Sequence, residues 1–127
     1  HFAAQVHWHL ALLLNMSIKE NAKNQFRDKL SGELNSIEVP EWGDTIYYKN
    51  AINGKKQGRI MSLYDKGQIV ESVCMSLIMR ALDKDGVAIW KPSELVELMR
   101  EYDIDVVSRV VEVIADKETT VDEAKKQ

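Results

Sequence analysis

The sequence predicts an α+β protein that is mostly α, a small helical domain with an N-terminal β-hairpin and a short extended segment between helices. Three observations support this class. Apolar residues recur at helical spacing over most of the chain, and β-branched or aromatic residues cluster between positions 37 and 49. The 127 residues are 45% hydrophobic and 29% charged, which is enough for one folded domain with a core.

The first fifteen residues differ from the rest of the chain. Residues 1–15 hold all three histidines and no Asp, Glu, Lys or Arg, whereas these charged residues are dense from Met16 onward. We therefore expect Met16 to be the native start and residues 1–15 to be an expression tag or an upstream-derived segment. One alternative is a signal h-region, which would lack a basic flank. The other is a metal site at His7 and His9, where two ligands do not close a site.

Residues 16–36 predict an N-terminal helical arm, which Gly32 weakens in its last turn. Its apolar residues recur about every four positions and form one narrow stripe: Ile18, Ala22, Phe26, Leu30 and Leu34. Residues 37–49 predict two short strands joined by a turn at 40–44. Because Pro40 has no backbone N–H, the first strand should end there or lie at an edge.

Helices follow the hairpin. Gly54 and Gly58 predict that any helix between Asn50 and Lys66 is late and short. The strongest helical pattern runs from Gln68 to Leu82, where two adjacent apolar rows predict a central helix with a wide buried face.

The last third of the chain predicts a turn, an extended segment and two helices. Asp83–Gly86 is a turn sequence, and Val87–Trp90 predicts the extended segment. Pro92 suits the first position of a helix that runs to Glu101. A final helix follows, capped by aspartates; its valines would also suit a strand, but apolar pairs every four residues favour a helix. We expect residues 37–116 to form one domain and residues 117–127 a flexible C-terminal tail.

Motifs for catalysis, cofactors or metals are missing or incomplete. Beyond residue 15 there is no histidine, so no Ser-His or Cys-His pair is possible if the first fifteen residues are foreign. The turn at Asp83 begins like a calcium loop, but Val87 and Ala88 occupy the positions that need a ligand and a glycine. Gly54–Arg59 lacks the P-loop spacing. Cys74 lies on an apolar helix face and is expected to be buried and inert. The sequence predicts no catalytic residue, cofactor or metal.

Methionine and tryptophan side chains admit two interpretations. They are ordinary core residues, or some of them form an adaptable apolar surface for a protein partner. The candidate partner-binding residues are Trp42, Met61, Met75, Met79, Trp90 and Met99.

Charge is distributed unevenly along the chain. The middle is basic, and from Glu94 to Glu123 ten acidic residues oppose three basic ones. This polarity could pair subunits head to tail into a ring or spiral, or it could be two solvated faces. A formal net charge of −3 argues against a nucleic-acid partner, and the apolar N-terminal run is too short to span a membrane.

The order of these features resembles a known protein family. Residues 37–49, IEVPEWGDTIYYK, resemble the opening strand-turn-strand of tail assembly chaperones from long-tailed, siphovirus-like bacteriophages. Residues 77–90 and the helix at 94–98 are similar to that family's apolar helix, Asp-rich turn, short strand and acidic helix. The resemblance covers residues 37–115. It departs from the family at Lys91-Pro92, where a hydroxyl or acidic helix cap is more usual.

The resemblance implies a non-enzymatic assembly factor that acts in the host cell cytoplasm. Such proteins bind the tape-measure protein, keep it soluble and help to recruit tail-tube subunits, and they are generally absent from the finished virion. The charge polarity leads us to expect a homo-oligomer, a ring or spiral, and the missing motifs lead us to expect no cofactor. The alternative is a structural tail-completion or connector protein of the virion. A small hydrolase or a regulatory nucleic-acid binder is disfavoured by the missing histidine and the net acidity.

Overall fold

The structure, a computed structural model, describes the backbone of residues 2–115 and the side chains of residues 17–115. These residues contain five α-helices and one two-stranded antiparallel sheet, which confirms the predicted class of α+β, mostly α. The chain divides into two compact units, one up to Gly32 and one from Glu33 onward. The predicted C-terminal tail, residues 117–127, lies outside the described residues.

The first unit is a single long helix, α1, which spans Phe2–Ser31 and crosses Met16 without a break. It ends just before Gly32, whose N–H donates to the Asp28 carbonyl at 3.2 Å. From residue 17 to residue 31 none of the helix's side chains is buried. The predicted helix is therefore present up to Ser31, whereas a separate arm over residues 16–36 and the native start at Met16 stay predictions.

The second unit begins with the predicted β-hairpin. Strand β1 spans Asn35–Val39 and pairs with β2, Asp44–Tyr48, in an antiparallel register that places Ile37 opposite Ile46. As predicted, β1 ends before Pro40.

A 3-10 turn, Pro40–Trp42, connects the two strands. Gly43 follows at φ 65°, and its N–H donates to the Pro40 carbonyl at 3.1 Å. A side chain is disfavoured at this backbone conformation, so glycine closes the turn and leaves Trp42 beside the sheet.

Helix α2 spans Gly54–Asp65, so the expectation of a late and short helix in this segment is wrong. The Asn53 side chain caps the helix by accepting the Lys56 N–H at 2.9 Å, and this cap offsets the low helix propensity of the glycines. Packing against the next helix supports it further.

A tight turn joins α2 to α3, Ile69–Arg80. Gly67 has φ 78°, its N–H donates to the Tyr64 carbonyl, and the Gln68 N–H donates to the Leu63 carbonyl, each at 2.9 Å. This is the Schellman arrangement, in which a left-handed glycine lets two terminal carbonyls find donors.

Helix α3 is the central helix, as predicted, and it packs on α2, α4 and α5. Cys74 and Leu77 are fully buried. The predicted buried face does not include the first turn, however: Ile69 and Val70 are 47% and 44% exposed. That turn lies next to the α2–α3 connection.

After α3 the chain runs beside the hairpin. Leu82 forms one antiparallel bridge to Tyr47 on β2 and another to Ala88 in the predicted extended segment. The extended segment therefore lies beside the hairpin but does not form a full strand. The predicted turn lies between these bridges: the Asp83 carboxylate accepts the N–H groups of Asp85 and Val87 at 2.9 and 3.0 Å.

Two short helices complete the fold. A 3-10 turn at Pro92–Glu94 leads into α4, Leu95–Glu101. The Glu94 carboxylate accepts the Lys91 backbone N–H at 2.9 Å. Lys91 has no capping carboxylate or hydroxyl of its own, and Glu94 provides this contact from three residues further on. Helix α5 spans Ile104–Ile114, as helical spacing predicted.

A single cluster of buried apolar side chains unites the strands and helices of the second unit. Its buried members are Val39, Ile46, Ile60, Cys74, Met75, Leu77, Ile78, Ala81, Trp90, Leu98, Val106, Val107, Val110 and Ile114. In the part of the chain that the structure describes, no helix combines the length and apolar character needed to cross a bilayer.

Candidate protein-binding surface

Three aromatic rings meet where the hairpin turn, the segment after Leu82 and the end of α4 converge. The ring centroids of Trp42, Trp90 and Tyr102 lie 5.9–6.0 Å apart, with interplanar angles between 71° and 88°. Each pair is edge-to-face, the arrangement that the ring quadrupole favours. The Trp90 indole N–H donates to the Tyr102 hydroxyl at 3.2 Å, so the one polar group of this mostly buried ring has a partner.

A cleft of about 240 Å³ opens beside these rings. Besides the three aromatic side chains its lining residues are Val39, Asp44, Thr45, Ile46 and Ile89. Ile89 is 41% exposed at the cleft, whereas Val39 and Ile46 belong to the core. The volume is below the roughly 300–1,000 Å³ that is typical of small-molecule sites. The cleft therefore suits an apolar side chain of a protein better than a whole cofactor.

An ion pair fixes the turn that carries Trp42. The Arg109 guanidinium on α5 donates to both carboxylate oxygens of Glu41, at 2.5 and 2.6 Å. This hydrogen bonding lowers the pKa of Glu41 from 4.5 to about 2. The pair joins the hairpin turn to α5 across 68 residues of sequence and holds one wall of the cleft in position.

A second apolar surface lies near the α2–α3 connection. Met61 and Tyr64 are one helical turn apart on α2 and are 43% and 56% exposed. Ile69 and Val70, in the first turn of α3, are exposed as well. Large apolar side chains at adjacent exposed positions are typical of protein-interaction surfaces.

The predicted partner-binding residues do not form one surface. Trp42 and Trp90 come together in the aromatic cluster. Met61 and Met99 are exposed on two different helices, α2 and α4. Met79 is half-buried against the core.

Met75 is a core residue of α3. Its side chain is 4% exposed, so in this structure it packs inside the second unit and presents no surface to a partner.

Metal-binding and nucleophilic side chains were compared among the described residues. Among them, no group of three or more His, Cys, Asp or Glu side chains is placed to hold a metal ion. Cys74 is fully buried, and burial raises the pKa of its thiol, with a further contribution from the Glu71 charge. A thiol of this kind is a poor nucleophile.

Tyr102 and Ile89 complete the cleft, and the sequence did not identify them as site residues. Tyr102 directly follows the helix predicted to end at Glu101, and Ile89 lies within the predicted extended segment Val87–Trp90. Trp42 and Trp90 gave the usable signal, because large aromatic side chains far apart in sequence often share a cluster.

The fold is similar to that of the bacteriophage HK97 tail assembly chaperone. The TM-score is 0.56 at 15% sequence identity, over 71% of this chain and 94% of that chain. This chain has the tail assembly chaperone fold. No protein-family model matches the sequence, and no curated protein matches it. The tail assembly chaperone fold is the one that the resemblance of residues 37–115 implied.

Proposed function

We propose that the protein is a phage tail assembly chaperone that binds the tape-measure protein, keeps it soluble and helps to recruit tail-tube subunits. The observation that carries the proposal is the fold, which is similar to a tail assembly chaperone over nearly that protein's full length. The cleft lined by Ile89 and the aromatic cluster gives such a protein a place for an apolar side chain of its client.

The proposed activity is binding without catalysis, in the host cell cytoplasm. A long helical client presents apolar side chains at helical spacing, and shallow sites repeated along it give strong attachment even when each site is weak. Exposed apolar residues on α2, α3 and α4 are suited to such contacts. Residues 37–116 would form the chaperone domain.

Several copies would act together as a ring or spiral. Between positions 49 and 66 the chain has five basic residues and one acidic residue, whereas between 94 and 115 it has six acidic and two basic residues. Surfaces of opposite sign on one subunit favour head-to-tail contacts between copies. Light scattering over a range of concentrations tests this point, and a strict monomer at high concentration contradicts it.

Co-expression with the tape-measure protein of the same phage tests the proposal. The expected result is that the tape-measure protein becomes soluble and co-purifies with the chain. An insoluble tape-measure protein and no complex would contradict it. Finding the chain in stoichiometric amounts in mature particles would instead favour the alternative, a structural tail-completion or connector protein.

A further inference from the structure

One buried cation in the second unit has fewer partners than its chemistry requires. The Arg80 side chain, in the last turn of α3, is only 7% exposed. Its Nη2 donates to Oε1 of Gln57 on α2 at 3.1 Å, while its Nε and Nη1 have no hydrogen-bond partner. A buried guanidinium normally has a carboxylate beside it, because burying an unpaired charge is costly.

The described carboxylates do not supply this counter-charge. The ion pairs formed by described residues are Lys23–Glu20 and Arg109–Glu41, and neither involves Arg80. Burial lowers the pKa of Arg80, and no acidic neighbour opposes that shift. Of the two terminal nitrogens, only Nη2 has a hydrogen-bond partner, and that partner is a neutral amide oxygen.

Gln57 occupies the place where a carboxylate would bind. Its side chain is exposed and lies in the first turn of α2, so it can rotate away from the guanidinium without disturbing the core. A carboxylate in its place accepts the hydrogen bond from Nη2, and this charge-assisted bond is stronger than one to a neutral amide.

Exposed cations share the helix that carries Gln57. Lys55, Lys56 and Arg59 are exposed on the same twelve-residue helix, and the N-terminal end of that helix carries the positive end of its dipole. These groups favour the approach of an acid to this end of the helix.

Apolar residues continue the face of α2 that Gln57 begins. Gln57, Met61 and Tyr64 are spaced at i, i+4 and i+7, so they lie along one side of the helix over about 10 Å. Met61 and Tyr64 are 43% and 56% exposed. An acid-binding position therefore lies at one end of an exposed apolar stripe.

We propose that Arg80 binds a carboxylate of an amphipathic helix in a protein partner, with apolar residues of that helix packing on Met61 and Tyr64. The partner helix would carry Glu or Asp four and seven positions away from its apolar residues. A nucleic-acid phosphate fits less well, because one recessed guanidinium in a chain of net charge −3 is not a phosphate-binding stripe. The proposal rests on the proposed function only in taking the partner to be a protein helix.

Binding of two matched helical peptides to the full chain tests the proposal. Each peptide has about 20 residues, enough for a stable helix, with Leu four and seven positions on both sides of a central Glu or, in the control, Gln. Fluorescence anisotropy is expected to give about tenfold tighter binding for the Glu peptide, as a charge-assisted hydrogen bond predicts. Equal binding of the two peptides, or binding of neither, would overturn the proposal.

Three variants connect the preference to Arg80. In Arg80→Met the Glu preference should vanish, and thermal unfolding should confirm a folded protein, since an apolar replacement of a buried charge is often neutral or stabilising. Gln57→Ala should keep or increase the preference. Arg100→Met, the same change at an exposed site on α4, should leave it unchanged. A preference that survives Arg80→Met would overturn the assignment of the site.

Two further arms separate this proposal from its alternatives. If a single-stranded oligonucleotide binds in an Arg80-dependent way and the Glu peptide does not, the site takes phosphate and the proposal is wrong. If Arg80→Met solubilises the tape-measure protein as well as the wild type does, Arg80 has no role in that binding although the proposed function holds. Failure of the wild type itself would contradict the proposed function.

Discussion

Replacing Tyr102 with phenylalanine removes one oxygen from the aromatic cluster and keeps its three rings. The Trp90 indole N–H then loses the acceptor that lies 3.2 Å away, in a side chain that is only 9% exposed. A net hydrogen bond contributes about 0.5–1.5 kcal/mol, and leaving a buried donor unpaired costs about 1–3 kcal/mol. Tyr102 is half-buried, so water can partly replace the lost acceptor. We therefore expect the free energy of unfolding to fall by about 1–2 kcal/mol.

This loss converts to a measurable shift in melting temperature. For a unit of this size, about 1 kcal/mol corresponds to roughly 4–8 °C, so Tyr102→Phe should lower the Tm by about 4–16 °C. Circular dichroism gives the Tm, and tryptophan fluorescence reports the cluster itself. Tyr64→Phe is the matched control, since that side chain is 56% exposed and its change should be within about 0.5 kcal/mol. Equal effects of the two substitutions would refute the structural role of this hydrogen bond.

Three further predictions concern other parts of the second unit. Because Arg109 holds the pKa of Glu41 at about 2, the ion pair stabilises the fold above pH 4.5, and this contribution is lost as the pH falls from 4.5 towards 2. Urea unfolding of Glu41→Gln should therefore depend less on pH over that range than unfolding of the wild type. The Cys74 thiol, fully buried and with a raised pKa, should react with a thiol reagent only after denaturation. Asn53→Ala should destabilise the protein by about 1 kcal/mol through loss of the α2 cap, measured by urea unfolding.

Each of these predictions has its own control. Exchanging the charges, as Glu41→Arg with Arg109→Glu, should recover more stability than either single change, and simple additivity would contradict a direct pair. Rapid labelling of Cys74 in the native protein would contradict its burial. Asn53→Ser should retain most of the stability, because serine also caps helices; a loss equal to that of the alanine variant would contradict the capping role.

Local patterns were sufficient to predict most of the elements. Pro40 ended the first strand, the turn at Asp83 formed where its residues indicated, and apolar spacing identified α3 and α5. Each of these depends on residues close together in sequence, whose backbone preferences or periodicity act locally. The same patterns combined with the family resemblance to give the fold.

The prediction for helix α2 was wrong because it depended on the low helix propensity of two glycines alone. Gly54 and Gly58 disfavour a helix, but the Asn53 cap and packing against α3 outweigh them. Low propensity alone therefore did not place the boundary of this helix.

The candidate site was predicted only in part, because its contacts join distant segments. Trp42 and Trp90 were identified by residue type, but their meeting with Tyr102 depends on how the hairpin packs against the end of α4. Glu41 and Arg109 are 68 positions apart, and no local spacing links them. The sequence likewise did not predict the unpaired guanidinium of Arg80. A cation in the last turn of a helix is common, and no local pattern shows that this one is buried.

The decisive measurement compares how much tape-measure protein stays soluble with the wild-type chain and with Ile89→Glu. Ile89 is 41% exposed beside the aromatic cluster, so the substitution places a charge in the cleft and leaves the core intact. Val113→Glu on α5 is the matched control, since Val113 is 43% exposed and outside the cleft. We predict that the wild type and the control solubilise the tape-measure protein and that Ile89→Glu does so much less. Equal solubility with all three chains, or insolubility with all three, would contradict client binding through the cleft.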